Sequence, residues 1–227
     1  MALFIVGSYK ASPYDPDSAF DPVTHVATEA SFIQLLQHGV YDSKYIGYKV
    51  QLGNSVDYNN GLWVIADVNH DANQPNTYDL ISQDCFNTTW FGSSQYWRDS
   101  GVRTWLNDTF YNGFSENFKS HMNNITYVSN GSTYNDDKVI LPSFTEVNGT
   151  TGTSSTDYVV EGTAYPIFTK KSSRQKYQTG TTTYKRWWTR SRRTGYSTVW
   201  YVKTDGSMNY TPYQGDSEFL APLMRVH

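Results

Sequence analysis

Residues 187–211 have the sequence WWTRSRRTGYSTVWYVKTDGSMNYT, and this stretch decides the class of fold that the chain can form. Runs rich in Trp, Tyr, Val and Thr favour β-strands. An Asp-Gly pair between two such runs is a strong signal for a tight hairpin turn. The pattern predicts one strand at 199–204, a turn at Asp205 and Gly206, and a second strand at 207–211. The domain is therefore expected to contain an antiparallel sheet.

The start of the same stretch predicts how this sheet is anchored. Trp187 and Trp188 are neighbours in one predicted strand, so their side chains are expected to point to opposite faces, one inward and one outward. The inward tryptophan is expected to anchor a helix that carries Trp105. Arg190 is expected to satisfy loop carbonyls or to pair with Glu146 or an aspartate, because its guanidinium group always stays charged. Structural roles are thus favoured over ligand contact for Trp105, Trp187 and Arg190.

Helical signals are fewer than strand signals. The segment 100–110 carries apolar residues at helical spacing, which predicts an amphipathic helix. Thr28 can cap a second, shorter helix that ends at Gly39, and Ser115 can cap a further short one. Together with the strands, these segments predict an α+β domain in which two main helices pack on a twisted, mostly antiparallel sheet with long loops.

The two ends of the chain predict less regular structure. Residues 1–27 contain prolines set among aspartates, which predicts an N-terminal arm, and the domain proper is expected at 28–227. A terminal strand at 3–6 is the alternative for part of this arm. The last apolar run, 219–226, is interrupted by Pro222, which cannot donate a backbone hydrogen bond. The last strand is therefore expected at a sheet edge or at a bulge.

Residue types that usually carry chemistry do not form a recognisable set. The single cysteine, Cys85, excludes an internal disulfide framework. None of the five histidines has a partner at zinc-ligand spacing, and the sequence has neither a Gly-x-Ser-x-Gly elbow nor a phosphate-binding glycine loop. We therefore predict no catalytic residues, no metal site and no cofactor. A hydrolase built on two carboxylates that are distant in sequence remains open.

The composition and the charge pattern both favour binding. Of the 227 residues, 16% are aromatic and 19 are Tyr, and Tyr-rich surfaces are typical of adaptable binding faces, although the core is the commoner place for any one tyrosine. No acidic residue occurs between Glu161 and Asp205. The basic residues of this stretch are Lys170, Lys171, Arg174, Lys176, Lys185, Arg186, Arg190, Arg192, Arg193 and Lys203. The basic stretch, densest at 170–193, could contact a phosphate-bearing polymer or an acidic protein, or it could be a solvated surface balanced by acidic residues elsewhere.

Three ordered segments resemble a known family of domains. They are residues 103–107 (RTWLN), residues 137–141 (DKVIL) and residues 187–191 (WWTRS). Their order is similar to a domain family of unknown function that is widespread in Gram-positive bacteria and in tailed phages. The resemblance covers roughly residues 28–226. It implies a C-type-lectin-like fold and a setting in a bacteriophage or prophage.

Composition and resemblance together predict a non-enzymatic adhesion protein of a phage virion or tail, which binds a receptor polymer on the host cell surface. Aromatic rings stack on sugar rings, and arginines hold phosphates. The expected contact residues are Trp188, Arg193, Tyr196, Trp200, Tyr201, Tyr210 and Tyr213. One alternative is a structural or decoration protein that binds neighbouring virion subunits. A second alternative is a cell-wall glycan hydrolase.

Further expectations concern location and partners. The N-terminal apolar run is too short for a signal peptide and no stretch is long enough to span a membrane, which predicts synthesis in the host cytoplasm without membrane insertion. The chain is then expected in the virion as a homo-oligomer, with other virion proteins and a host polysaccharide or protein as partners. Nucleic-acid binding is not favoured, because the net charge is −3 and no nucleic-acid-binding fold is recognised.

Overall fold

The computed structural model describes residues 14–58, 60–150 and 156–227. Residues 1–13 of the predicted N-terminal arm, including the strand predicted at 3–6, lie outside the described residues. The last part of that arm contains a 3-10 helix at Pro16–Ala19. Ala19 and Phe20 are buried in the main core, so this part of the arm packs on the domain.

The α-helices are short. They are α1 (Glu29–Gln37), α2 (Gly101–Trp105), α3 (Glu116–Lys119), α4 (Phe144–Asn148) and α5 (Lys171–Arg174). A π-helical segment at Leu106–Phe110 continues α2, which confirms the helix predicted over 100–110. The hydroxyl groups of Thr28 and Ser115 cap α1 and α3, as predicted. None of the described helices is long and apolar enough to cross a membrane.

The strands carry most of the regular structure. Those before α4 are β1 (Val26–Thr28), β2 (Lys49–Leu52), β3 (Gly61–Val68), β4 (Tyr78–Ser82), β5 (Phe86–Thr89), β6 (Met122–Asn123), β7 (Ile125–Ser129), β8 (Ser132–Asp137) and β9 (Val139–Ile140). Those after it are β10 (Lys176–Tyr177), β11 (Tyr184–Lys185), β12 (Trp187–Arg192), β13 (Thr198–Val202), β14 (Met208–Pro212), β15 (Glu218–Leu220) and β16 (Leu223–Val226). The domain is thus mixed α+β, with mostly sheet and few helices.

The first sheet has seven strands within the described ranges. Its order is β1-β2-β3-β4-β16-β6, and β9 also pairs with β16. The pair β1–β2 is parallel and the other pairs are antiparallel. Phe32 of α1 lies against Tyr78 of β4, with ring centroids 5.8 Å apart, so α1 covers this sheet. The predicted mostly antiparallel pairing is confirmed.

The second sheet has five strands among the described residues, in the order β14-β13-β12-β15-β5. The strands β12, β13 and β14 form an antiparallel meander, which confirms the hairpin predicted around Asp205 and Gly206. The strand β15 is parallel to β12 and antiparallel to β5. Two separate hairpins, β7–β8 and β10–β11, lie outside both sheets.

The chain passes from the second sheet to the first at Ala221 and Pro222. The strand β15 ends at Leu220, and β16 begins at Leu223 between β4 on one side and β6 and β9 on the other. The prediction that Pro222 places the last strand at an edge or a bulge is therefore wrong. Pro222 falls between two strands, where no ladder bond needs its missing N–H, and its carbonyl accepts a 3.0 Å hydrogen bond from the Ser82 N–H.

Trp187 and Trp188 are both fully buried, so the prediction that one of them points outward is wrong. The ring of Trp187 lies 6.4 Å from that of Phe168, and the ring of Trp188 lies 5.6 Å from that of Phe91, measured between centroids. Different parts of the chain therefore cover the two faces of β12. The alternation of side chains along a strand predicts that neighbouring residues point to opposite faces of the sheet, but it does not predict whether either face is exposed to solvent.

Candidate functional site

Three of the predicted contact residues, Arg193, Tyr196 and Tyr210, lie together at the surface. The guanidinium carbon of Arg193 lies over both tyrosine rings, 3.9 Å from each ring centroid. Tyr196 is 53% exposed and Tyr210 is 39% exposed. The quadrupole of each ring attracts the cation, so the three side chains hold one another in place. We call this set the tyrosine–arginine face.

The meander of the second sheet brings these residues together. The Arg193 N–H donates to the carbonyl of Thr198 at 2.9 Å, which closes the connection between β12 and β13. Gly195 in this connection has a φ of +77°, a conformation that glycine adopts without steric cost. Tyr210 comes from β14, the strand beside β13. The face is therefore formed by the β12–β13 connection and the neighbouring strand β14.

Buried side chains support the face from below. Trp200 lies under Tyr210, with ring centroids 5.3 Å apart, and packs on Phe144 at 4.6 Å. Asp157 accepts hydrogen bonds of 3.2 and 3.3 Å from the guanidinium group of Arg193. These contacts fix the ring plane of Tyr210 and the direction of the arginine side chain.

The other predicted contact residues are not part of this face. Trp188, Trp200 and Tyr201 are 0%, 4% and 5% exposed, which corrects the expectation that they contact a ligand at the surface. Both faces of the second sheet are covered where they lie. Tyr213 is half-buried against the main core, and its carbonyl accepts a 3.2 Å hydrogen bond from the Phe91 N–H.

Arg190 is completely buried and pairs with Glu146, one of the partners expected for it. Its guanidinium group donates to the two carboxylate oxygens of Glu146 at 2.6 and 2.7 Å. It also donates to the carbonyls of Leu141 at 3.0 Å and of Val128 and Glu161 at 3.3 Å. Burial lowers the pKa of Arg190, but the charge of Glu146, the hydrogen bonds to it and the charge of Glu161 together raise it more, so the pKa lies above its ordinary value. Arg190 therefore ties β7, α4 and the loop residues Leu141 and Glu161 to β12.

Trp105, the remaining residue with an expected structural role, lies at the end of α2. Its ring packs on Phe110 with centroids 5.3 Å apart. Trp105 is half-buried. Trp105 thus combines a core contact with a surface position.

A cleft of about 170 Å³ opens beside Glu146, with His70, Tyr165 and Arg225 among its lining residues. Behind it, Arg225 donates to both oxygens of Asp79 at 2.6 and 2.8 Å. The Tyr165 hydroxyl donates to the same carboxylate at 2.7 Å. Glu146 in this charged cleft and Asp79 behind it are each engaged by an arginine, which suits them to holding the fold rather than to transferring protons.

His70 lies at the mouth of the charged cleft. Its Nδ1 is 2.7 Å from an oxygen of Asp67, and its ring stacks on Tyr165 with centroids 4.0 Å apart. Burial lowers the pKa of His70, but the hydrogen bond with Asp67 and the charges of Asp79 and Glu146 raise it more, so it lies above the ordinary value. In the described part of the chain, no three His, Cys, Asp or Glu side chains cluster in a way that could hold a metal ion.

The sequence interpretation missed Asp79 and Arg225. Each lies in a strand whose residues are all buried. A charged residue inside such an apolar run is a usable signal, because an unpaired charge is too costly to bury and must have a partner. Applied to residues 223–226, this argument predicts a buried acidic partner for Arg225.

Acidic residues from elsewhere in the chain balance part of the basic stretch. The pairs include Arg186 with Glu218, Arg190 with Glu146, and Arg193 with Asp157. Lys176 is buried and donates hydrogen bonds to the carbonyls of Ser82 and Gln83. Burial lowers its pKa to about 8. For these residues the structure favours a balanced or buried charge over a free basic surface.

Cys85 is buried beside Lys176. Its thiol donates to the carbonyl of Tyr177 at 3.3 Å. Burial raises the pKa of the thiol to about 12, so it stays protonated at neutral pH. A buried, protonated thiol is a packing group rather than a nucleophile.

Comparison with known proteins identifies one related family. A family model described as a domain of unknown function, DUF6273, matches residues 76–225. The matched residues include the tyrosine–arginine face and both buried arginine clamps. No curated protein and no solved structure matches the chain.

Proposed function

Because the chain belongs to the DUF6273 family, whose description names no activity, we propose a function from its own surface: a non-enzymatic module that binds a polymer on a cell surface. The tyrosine–arginine face is the proposed contact site. Its two exposed rings can stack on sugar rings. The guanidinium group between them donates to Asp157 through Nε and Nη2, and its Nη1 can hold a phosphate or a carboxylate of the polymer. The observation that carries the proposal is the 3.9 Å contact of Arg193 with both exposed rings.

Exposure of these rings supports a binding role over a purely structural one. An exposed tyrosine that serves only to shield an arginine would add little to the stability of the fold, because an exposed cation–π pair contributes about 0.5–1 kcal/mol. Two partly exposed rings held in fixed positions over one cation form instead a preorganised surface, for which little conformational entropy is lost on binding. Tyrosine also supplies a large contact area at low entropic cost.

We further propose that this module works as a receptor-binding protein of a phage virion or tail, with a C-type-lectin-like fold and as a homo-oligomer. The aromatic-rich, disulfide-free composition supports this setting. The engagement of Glu146 and Asp79 by arginines supports the absence of catalysis in the charged cleft. Turnover of cell-wall glycans by the purified protein would contradict the non-enzymatic role.

The test is binding of the fluorescently labelled, purified protein to Gram-positive cells and to their isolated wall polymers. The variant is Tyr196→Ala with Tyr210→Ala. The matched control is Tyr177→Ala with Tyr184→Ala, which removes another exposed tyrosine pair, stacked at 4.2 Å on the hairpin β10–β11. We expect saturable binding that the first double variant loses and the control keeps.

Equal binding by both double variants would overturn the assignment of the tyrosine–arginine face. Absence of binding to any cell or wall polymer, together with stable association with phage particles, would favour the structural alternative. In that case the same face would be tested for contact with a neighbouring virion subunit.

A further inference from the structure

A second surface of the domain has the features of a ligand site and is separate from the tyrosine–arginine face. It is a groove of about 390 Å³ between β5 and α2. Its side chains include Trp90, Trp105, Asn87, Thr88 and Thr89. We call it the tryptophan groove. From this geometry we propose that the tryptophan groove binds a neutral saccharide without the help of a metal ion.

The two tryptophans supply the apolar part of the site. Trp90 is 54% exposed, the largest exposed aromatic side chain of the described residues. Trp105 is half-buried, and its indole packs on Phe110 and also lines the groove. An indole combines a broad apolar face with a ring N–H, which suits the C–H faces and the hydroxyls of a pyranose ring. Leaving such a ring in water is unfavourable, and stacking on a ligand would relieve that exposure.

The polar part of the groove is uncharged. Asn87, Thr88 and Thr89 belong to β5, and Ser93 follows it. Across the described residues, the side chains of Asn87, Thr88 and Ser93 make no hydrogen bond within the protein, so their amide and hydroxyl groups are available to a ligand. None of the residues that line the groove is Asp, Glu, Lys, Arg or His. A phosphate or a carboxylate would find no counter-charge there, whereas neutral hydroxyls would find donors and acceptors.

The floor of the groove is rigid. Gly92 has a φ of +138°, and a Cβ atom there would lie only 2.4 Å from the backbone nitrogen of Gly101. The ring N–H of the buried Trp188 donates to the Thr89 carbonyl at 2.9 Å, and the Val102 N–H donates to the Phe91 carbonyl at 3.3 Å. The segment that carries Trp90 is therefore tied to β12 and to α2. A preformed groove loses little conformational entropy when a ligand binds.

The groove and the proposed polymer-binding face consist of different residues. Tyr210 lies on β14 and Thr88 lies on β5, and these are the two edge strands of the second sheet. The ends of these two strands come close, because the Phe91 N–H donates to the Tyr213 carbonyl at 3.2 Å, but no residue is shared between the groove and the face. The tryptophan groove can thus bind its ligand whether or not the tyrosine–arginine face is functional, so the inference goes beyond the proposed function.

The test uses three neutral tetrasaccharides as probes: cellotetraose, maltotetraose and chitotetraose. Binding to the full chain is measured by calorimetry and by shifts of the tryptophan ring N–H signals in NMR spectra, with EDTA present throughout. We expect saturable binding of at least one probe at concentrations up to about 10 mM, and shifts of the Trp90 and Trp105 signals rather than that of the buried Trp187.

The variant is Trp90→Ala, which changes an exposed side chain and is expected to fold normally. Its Kd for the bound probe should rise about tenfold or more. A second variant, Ser93→Arg, fills the groove without removing an aromatic ring and should weaken binding as well. The matched control is Tyr196→Ala with Tyr210→Ala, which should leave the Kd unchanged. Absence of saturable binding for all three probes, or binding that Trp90→Ala does not weaken, would overturn the proposal.

Discussion

The guanidinium group of Arg225 donates hydrogen bonds of 2.6 and 2.8 Å to the two carboxylate oxygens of Asp79, in the middle of the first sheet. Both side chains are almost inaccessible to water, with 1% and 0% of their surface exposed. Removal of one partner from such a pair leaves a buried charge without compensation, whereas replacement of both by apolar groups is much better tolerated.

We therefore predict that Asp79→Asn lowers the free energy of unfolding by roughly 3–5 kcal/mol. The double variant Asp79→Leu with Arg225→Met should recover a large part of this loss. Chemical denaturation followed by circular dichroism measures both. Glu116→Gln, which removes an exposed pair with Lys119, is the control and should change stability little. A double variant less stable than Asp79→Asn would show that the buried charges themselves stabilise the fold.

Two turn glycines allow backbone strain to be separated from steric clash. Gly195 and Gly206 both have a φ of +77°. A Cβ at Gly195 would meet nothing within 4 Å, but a Cβ at Gly206 would lie 1.9 Å from the carbonyl oxygen of Lys171. Gly195→Ala should lower the free energy of unfolding by about 1–2 kcal/mol, because of the positive φ alone. Gly206→Ala should lower the free energy of unfolding clearly more, because the clash with Lys171 adds to the strain of the positive φ. Thermal unfolding measures the stability of both variants. An equal loss of stability in the two would mean that the segment at Lys171 moves away freely.

The pair between His70 and Asp67 should make stability depend on pH. The pKa of His70 is raised in the folded state, so the native protein binds more protons than the unfolded chain. The resulting stabilisation is complete below the unfolded pKa of about 6.5 and is lost as pH rises through the folded pKa. The free energy of unfolding of the native protein, minus that of His70→Gln, should therefore fall between mildly acidic and mildly alkaline pH. A constant difference would contradict the pairing.

Lys176 should have the opposite pH dependence. Its folded pKa is about 8, below that of an exposed lysine, so the unfolded chain binds more protons at alkaline pH. The native protein should gain stability relative to Lys176→Met as pH rises from about 8 to about 10.4, by up to about 3 kcal/mol. Paired denaturation curves at several pH values measure the difference, because the titration of other groups cancels between the two proteins. A flat difference would place the lysine ammonium in contact with water.

Arg193 should make polymer binding sensitive to salt. Arg193 is only partly exposed, but its attraction for a phosphate or a carboxylate at the surface is still screened by added ions. Arg193→Gln should bind an anionic wall polymer several-fold more weakly at low salt, and its affinity should fall less steeply as salt is added. Lys185→Gln removes a positive charge from the hairpin β10–β11 and serves as the control. If Lys185→Gln reduces the salt dependence of binding as much as Arg193→Gln does, the salt dependence comes from the overall charge of the protein and not from Arg193.

Local signals in the sequence predicted the local structure. The caps at Thr28 and Ser115 and the turn at Asp205 and Gly206 depend on residues that are neighbours in the chain, so their chemistry can be recognised directly. The partner of Arg190 could also be predicted, because a charged residue in an apolar strand must be neutralised.

Features that depend on distant segments could not be predicted. The exposure of Trp200 depends on Phe144 and Tyr158, which come from elsewhere in the chain and cover it. The place of the last strand depends on the chain's crossing between sheets at Pro222, which proline chemistry alone does not specify. Trp90, in contrast to Trp200, is exposed, and this exposure follows from the packing of its neighbours and not from its own residue type.

The position of β16 inside the first sheet also has a consequence for synthesis on the ribosome. Its Arg225 pairs with Asp79 of β4 across 146 positions of the chain. At roughly 5–20 residues per second, β4 emerges on the order of ten seconds before its partner strand is translated. During that interval one edge of an apolar strand remains open to other nascent chains, and open strand edges are templates for aggregation. The yield of folded protein should therefore depend on chaperones that bind nascent chains, and slower translation would lengthen the period in which they are needed.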